Sequence, residues 1–316
     1  MKKKPPHEVY TLADLQNWSE ATKNVQPPIR LAVIGEPVAH SLSPQMQNAA
    51  LHESGIKMQY ARIQLGETAL TDALKLFRQN EFIGLNVTLP HKERVLSLMD
   101  EIDENAKEAG VINTIAIRDQ KLIGFNTDGI GFSHAIRDEF SVDLRDLRVL
   151  VLGAGGAARA IAFECARQGC ERLVIANRTR AKAEGLVQTF QSFFTGPRVL
   201  GPVARLQAIG LSDPELRSQI AHTDLLVNAT PLGLQRSDRS AVAEHLLAPH
   251  LMVFDTTYSA GRSLLLVAAE KMGARGSNGV SMLVHQGARA FEIWFGREAP
   301  VEVMRRAVVD ALTSSR

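Results

Sequence analysis

Between residues 148 and 180 the chain reads RVLVLGAGGAARAIAFECARQGCERLVIANRTR, and few folds accommodate that order. An apolar run at 149–152 passes into Gly153-Ala154-Gly155-Gly156-Ala157-Ala158, then into an alanine-rich helical stretch, then into a second apolar run ending at Asn177-Arg178-Thr179. Strand, glycine turn, helix and strand in this sequence make a dinucleotide-binding βαβ unit. Gly153 permits the tight turn, Gly155 lets the backbone approach a pyrophosphate, and Ala158 lets the helix pack on the strand. The amides of the first helical turn and the positive end of the helix dipole then face the phosphates.

The end of the second strand separates one dinucleotide from the other. NAD sites place an Asp or Glu there to accept a hydrogen bond from the ribose 2′-hydroxyl, and that carboxylate repels a 2′-phosphate. Here the residues are Asn177-Arg178-Thr179-Arg180-Ala181-Lys182. Three cations and a hydroxyl suit a phosphate dianion, because guanidinium pairs with it bidentately. The stretch therefore favours NADP over NAD. The plainer alternative is a tight βα corner followed by a solvated helix start.

At 316 residues the chain has room for about two domains of ordinary size, each with its own core. A net charge of +2 supplies no strong field for nucleic acid or an anionic membrane. No apolar run approaches the ~18 residues of a membrane span. The expected partner is a small-molecule substrate, with a homodimer left open.

Cys165 and Cys170, expected within the helix after the glycine turn, do not have the spacing of a redox or zinc CxxC motif. They read as small packed thiols and fit a reducing cytoplasm. Residues 1–28 contain four lysines but no apolar signal core, and they carry acids that a transit peptide lacks. They are taken as an extension, in which Thr11-x-x-Asp14 can open a short helix.

Periodicity gives strands at 30–35, 58–65 and 82–88, with helices at 44–54 and 68–79 between them. After Pro90 a helix is expected over 91–99, then two short strands at 111–117 and 121–125. This βαβαβ rhythm argues for a mostly parallel sheet. A helix from about 131 to 139 leads to the glycine-turn strand, and further strands fall at 225–228 and 252–255. Helices are expected at 262–271, 282–295 and 301–312, the last two amphipathic. The predicted class is α/β with two domains. Residues 29–128 form a substrate-binding and catalytic domain, 129–278 a Rossmann-type NADP-binding domain, and the C-terminal helices of 279–316 return to pack on the first.

A dinucleotide domain beside a second α/β unit implies a cleft, and hydride transfer there needs a group to move the hydroxyl proton. In Asn86-Val87-Thr88-Leu89-Pro90-His91-Lys92 the period of two sets Asn86 and Thr88 on one face, and Pro90 turns the chain so that Lys92 reaches back over it. A lysine in a partly desolvated cleft serves as acid or base. Alone, Lys92 also reads as a solvated cation at a helix start. Asp128 reads as an N-cap or as the carboxylate that holds the lysine. In His40-Ser41-Leu42-Ser43-Pro44, Ser43 has the place of an N-cap, whereas Ser41 has no such role and suits a polyol or carboxylate.

Taken in order, HSLSP, NVTLPHK, AGVINT, GFNTDG, GAGGAAR, NRT, NATPLG, DTTY and MLVHQGA resemble the signature segments of the shikimate dehydrogenase family. The resemblance implies reduction of 3-dehydroshikimate to shikimate with NADPH, on the route to aromatic amino acids. It implies that Ser41 and Ser43 contact the substrate carboxylate, and that Asn86, Thr88, Asn113, Asp128 and Gln286 hold its hydroxyls. Lys92 and Asp128 become the proton-transfer pair, and Tyr258 also reaches the substrate. On the cofactor side it implies pyrophosphate at Gly153, Ala154, Gly155, Gly156 and Ala157. The 2′-phosphate would lie at Asn177, Arg178, Thr179 and Lys182, and the nicotinamide end near Thr230 and Gly279.

Lys182 stands where many relatives have arginine, and Asn278-Gly279-Val280-Ser281 where Asp-Gly-Leu-Gly is commoner. Two rival readings accompany this one. The first is a quinate/shikimate enzyme using NAD or both cofactors, and the second is a non-catalytic regulator that senses a metabolite.

Overall fold

A computed structural model describes residues 9–195, 204–233, 239–258 and 261–314. By contacts the chain divides into two units, one running to Thr127 and including Gln286–Ala311, the other spanning Asp128–His285.

The first unit contains the strands β1 (Ile29–Gly35), β2 (Gln59–Gln64), β3 (Gly84–Val87), β4 (Glu101–Ile102), β5 (Thr114–Arg118) and β6 (Lys121–Phe125). Its helices up to Thr127 are α1 (Leu12–Gln16), α2 (Trp18–Ala21), α3 (Ser43–Glu53), α4 (Leu70–Gln79) and α5 (Glu104–Ala109). The sheet order is β2-β1-β3-β5-β6-β4. The pairs β1/β2, β1/β3 and β4/β6 are parallel, and the hairpin β5/β6 inserts antiparallel beside β3.

The pleat sorts this sheet into an apolar face and a polar one. Ala32, Ile34, Ala61, Ile63, Leu85, Val87 and Ile115 join one apolar cluster with Leu70, Ala73, Leu74 and Phe77 of α4. Register places Tyr60 beside Leu31, and Asn86 between Val33 and Thr114, so these polar residues share the opposite face. A Cβ on Gly84 would lie 2.1 Å from Nε1 of Trp294, so glycine is required for that indole to sit on the sheet.

Residues 9–28 are built into this unit. Tyr10, Leu15 and Trp18 lie in the α4-side cluster, each worth about 1.5–3 kcal/mol if counted as a fully buried large apolar side chain. Tyr10 N donates to Arg62 O at 2.9 Å and Gln64 N donates to Tyr10 O at 2.8 Å, so the segment pairs with the outer edge of β2. The expected Thr11/Asp14 helix start is present, with Thr11 N and Oγ1 both donating to Asp14 Oδ2 at 2.8 Å.

The helix expected over 91–99 is replaced by a turn and a 3-10 segment, Arg94–Leu98. The Lys92 carbonyl accepts from Ile112 N at 2.9 Å, while Leu96 N goes to Glu93 O, so the α-helical ladder never forms.

The second unit opens with α6 (Asp128–Phe140), three residues earlier than expected. It continues through β7 (Arg148–Leu152), α7 (Gly156–Arg167), β8 (Arg172–Ala176), α8 (Arg180–Phe190), β9 (Leu206–Ile209) and α9 (Asp213–Ile220). Then come β10 (Leu225–Asn228), β11 (Met252–Asp255), α10 (Leu264–Lys271) and β12 (Arg275–Asn278). The order β9-β8-β7-β10-β11-β12, parallel throughout, is the doubly wound dinucleotide arrangement with its switch point between β7 and β10. Cys170 lies beyond α7, not inside it. Neither cysteine is in a disulfide and both are buried, and burial raises the Cys165 thiol well above its ordinary pKa, so it stays protonated.

The chain ends in α11 (Val280–Phe295) and α12 (Val301–Ser314), and residues of both belong to the first unit. Among the described residues no helix is long and apolar enough to cross a membrane.

Candidate active site

The second unit supplies a site made mostly of backbone. Gly153, at the end of β7, has φ +111°, and a Cβ there would lie 2.8 Å from Ala229 O, on the far side of the switch point. The turn therefore presses against the loop after β10 in a conformation that L side chains rarely adopt. Above Gly155 a Cβ would meet nothing within 4 Å, so the start of α7 is open to a ligand. The N-cap residue of that helix is Gly155, which has no side chain to cap it, Ala158 is fully buried, and the first-turn amides of Gly156 and Ala157 have no partner within the helix.

At the end of β8, Asn177 Nδ2 donates to Thr179 O at 2.9 Å and fixes the turn. Arg180 is spent on Glu184 at 3.1 Å and Glu215 at 3.0 Å. Glu215 accepts from Gly210 N and Ser212 Oγ, which together with Arg180 hold its carboxyl below the usual range and keep it charged. Of the three cations expected to face a phosphate, Arg178 and Lys182 are thus the two that have no acidic partner among the described residues. Both are exposed.

The loops after β10 and β11 are tied together by two buried polar residues. Asn228 Oδ1 accepts from Thr230 N at 3.1 Å and Thr230 Oγ1 at 2.7 Å, while its Nδ2 donates to Asp255 Oδ1 at 3.0 Å. Asp255, 1% exposed, also accepts from Thr257 N, Thr257 Oγ1 and Ser263 Oγ. Thr230 Oγ1 in addition accepts from Leu232 N, so its hydroxyl serves the loop. Gly279 N donates to Thr257 O at 3.1 Å, and half-buried Tyr258 follows directly.

The first unit supplies side chains. Ser43 begins α3 without making a capping bond, contrary to its simplest reading. Ser41 Oγ donates to Ser43 Oγ at 3.2 Å and accepts from Ser43 N at 3.3 Å, which leaves the Ser43 hydroxyl hydrogen to give. Thr88 is half-buried, and its hydroxyl makes no hydrogen bond among the described residues.

Asn86 Nδ2 donates to Asn113 O at 3.3 Å and Thr114 Oγ1 at 3.0 Å, and Asn86 Oδ1 accepts from Tyr60 Oη at 2.8 Å. Asn113 Nδ2 donates to Thr127 Oγ1 at 2.9 Å and Gln286 Oε1 at 3.3 Å, and Thr127 N donates to Asn113 Oδ1 at 2.7 Å. Asn86, Asn113 and Gln286, all expected at one substrate, therefore meet in one network.

Half-buried Lys92 is placed by its neighbours. His91, 0% exposed, donates from Nε2 to Leu65 O at 2.7 Å; since a carbonyl only accepts, that nitrogen carries the proton. In the second unit Asp128 is the first residue of α6, 5% exposed, where the helix dipole favours its negative charge.

Tyr60, His91, Thr114, Thr127 and Asp255 join these hydrogen-bond networks without being expected to from the sequence. Thr114, Thr127 and Asp255 stand inside or beside the quoted segments, whereas Tyr60 carried no signal beyond its place in a strand.

Three family models match the chain. The shikimate dehydrogenase substrate binding domain covers residues 33–115, shikimate / quinate 5-dehydrogenase covers 135–257, and the shikimate 5′-dehydrogenase C-terminal domain covers 279–309. The NADP(+) shikimate dehydrogenase of Methanopyrus kandleri is 44% identical over 284 residues, 89% of this chain and 95% of its own. The Thermus thermophilus shikimate 5-dehydrogenase solved with NADP(H) and shikimate superposes with a TM-score of 0.79 at 34% identity, covering 90% of this chain and all of that one. A Corynebacterium glutamicum quinate dehydrogenase solved with NAD reaches a TM-score of 0.78 at 29% identity, over 90% of this chain and 99% of that one.

Proposed function

Because this chain belongs to the shikimate dehydrogenase family, we propose that it catalyses the reversible NADPH-dependent reduction of 3-dehydroshikimate to shikimate in aromatic amino acid biosynthesis. The observation that carries the cofactor choice is the charge pattern after β8, where Arg178 and Lys182 are left over once Arg180 is paired with Glu184 and Glu215. A 2′-phosphate supplies the acceptor that those two cations lack among the described residues. The open turn above Gly155 fits a pyrophosphate held by the amides of residues 153–157. The reading places the enzyme in the cytoplasm, where Cys165 and Cys170 stay reduced.

Bound NADPH supplies the hydride for the carbonyl carbon. The chain's own residues handle the proton and the pose. Lys92 gives its ammonium proton to the carbonyl oxygen and takes it back from the hydroxyl in the reverse direction, with Asp128 as its carboxylate partner. Ser43 gives its hydroxyl hydrogen to the substrate carboxylate, and Ser41 gives a second by turning its hydroxyl away from Ser43. Thr88, Asn86, Asn113 and Gln286 hold hydroxyls, Tyr258 adds a contact, and Thr230 and Gly279 shape the loops at the nicotinamide end.

A steady-state matrix of shikimate and quinate against NADP+ and NAD+ tests the assignment, with shikimate and NADP+ expected to give the largest kcat/KM. Quinate with NAD+ as the best pair would move the chain to the quinate branch, and ligand binding without any turnover would make it a sensor. Lys92→Ala should lower kcat by about a thousandfold or more while shikimate still binds within a few-fold of the parent. Near-parental turnover would remove Lys92 from proton transfer.

A further inference from the structure

We propose that Tyr60 is a positioning residue for substrate recognition, its phenol fixing the Asn86 side chain so that one acceptor position alone faces the ligand. The inference rests on the reading of Asn86 as a substrate contact.

Tyr60 is 3% exposed and Asn86 6%, so neither side chain trades hydrogen bonds freely with water. Asn86 has two amide hydrogens and two acceptor positions on Oδ1. The hydrogens go to Asn113 O at 3.3 Å and Thr114 Oγ1 at 3.0 Å, and Tyr60 Oη fills one acceptor position at 2.8 Å. What remains is one lone pair on Oδ1, which recognises a group only by accepting from it: a hydroxyl, not a carbonyl or an ether. The amide cannot turn over, because Asn113 O is an acceptor and would then face Oδ1.

Tyr60 is itself held at both ends. Asn48 on α3 brackets its backbone, accepting from Tyr60 N at 2.8 Å and donating to Tyr60 O at 2.9 Å. Its ring lies 6.2 Å from that of Trp294, which occupies the space over Gly84. The donors then run one way: Tyr60 to Asn86, Asn86 to Thr114, Thr114 Oγ1 to Asn113 Oδ1 at 3.2 Å, and Asn113 to Gln286. Such a chain polarises each member in the same sense, so loosening its first donor is felt first at Asn86.

A double-mutant cycle on shikimate affinity, measured by calorimetry and by KM, tests this. Tyr60→Phe keeps the ring and removes the one hydroxyl. It should weaken shikimate about 3- to 10-fold, with kcat and the NADP+ Kd within about twofold of the parent. Asn86→Ala should weaken shikimate by about tenfold or more, and adding Tyr60→Phe to it should change nothing further beyond about twofold.

Additive effects, or a Tyr60→Phe enzyme with parental shikimate affinity, would overturn the positioning role and leave the substrate reading intact. Parental affinity in Asn86→Ala would overturn the substrate reading, and Tyr60's role with it. Thermal midpoints of each variant separate lost stability from lost recognition. Should Asn86→Ala fail to fold, Asn86→Ser completes the cycle under the same criteria.

Discussion

The two units offer a ligand opposite kinds of group. In the second, the groups proposed to meet a ligand are largely backbone, made available by a glycine at φ +111° and an uncapped helix. In the first they are side-chain amides and hydroxyls, most of whose donors and acceptors are already spent on one another. A backbone site tolerates changes of side chain and breaks when space is filled. A side-chain site tolerates changes in bulk better than the loss of a single polar atom.

Gly153→Ala tests the contrast most severely. The added methyl meets Ala229 O in a backbone region disfavoured for alanine. With a strain of about 1–3 kcal/mol the NADP+ Kd should rise roughly 5- to 150-fold while the shikimate Kd holds, as separate calorimetric titrations would read. An equal loss of shikimate binding would erase the distinction between the two sites.

A smaller effect is expected where the second site does use side chains. Arg178→Ala should weaken NADP+ about tenfold and leave NAD+ almost unaffected, by loss of one charge-assisted phosphate pair. If both cofactors weaken alike, Arg178 has a structural role and the 2′-phosphate lies elsewhere.

The smallest effect concerns pH. In the second unit His134 stacks edge-on against His285 at 5.3 Å, and His285 Nε2 lies 2.7 Å from Asp138. Burial first, then His285 and Arg137, lower the His134 pKa against the opposing pull of Asp138 and Glu164. The unfolded chain, titrating near 6.5, then takes up its proton before the folded one. Stability is whole above about pH 6.5 and is lost as pH falls through the lowered folded value. His134→Gln should flatten the fall of Tm in that window, and an unchanged slope would put the sensitivity elsewhere.

How far the sequence revealed each site follows from the same contrast. A glycine turn needs particular residues at particular offsets, so the βαβ unit and the cationic strand end were both readable. Which cation is paired across the sheet was not, because Arg180's partner Glu215 is 35 residues away in the chain. In the first unit Asn86, Thr88 and Lys92 stood out by spacing. Tyr60 did not, because its role depends on β2 and β3 lying on either side of β1, a pairing that no local pattern states. Residues 91–99 carried a helical pattern that lost to one long-range bond, Ile112 N to Lys92 O.

The segment around Tyr10 has a consequence for how copies of the chain meet. An outer strand with free amides and carbonyls invites the same strand of a second molecule to pair with it. By spending the edge groups of Arg62 and Gln64 on its own backbone, Tyr10 denies β2 to neighbours. A chain begun at Ile29 would bare that edge together with the apolar patch that Leu15 and Trp18 cover, and so become more prone to sticking to itself.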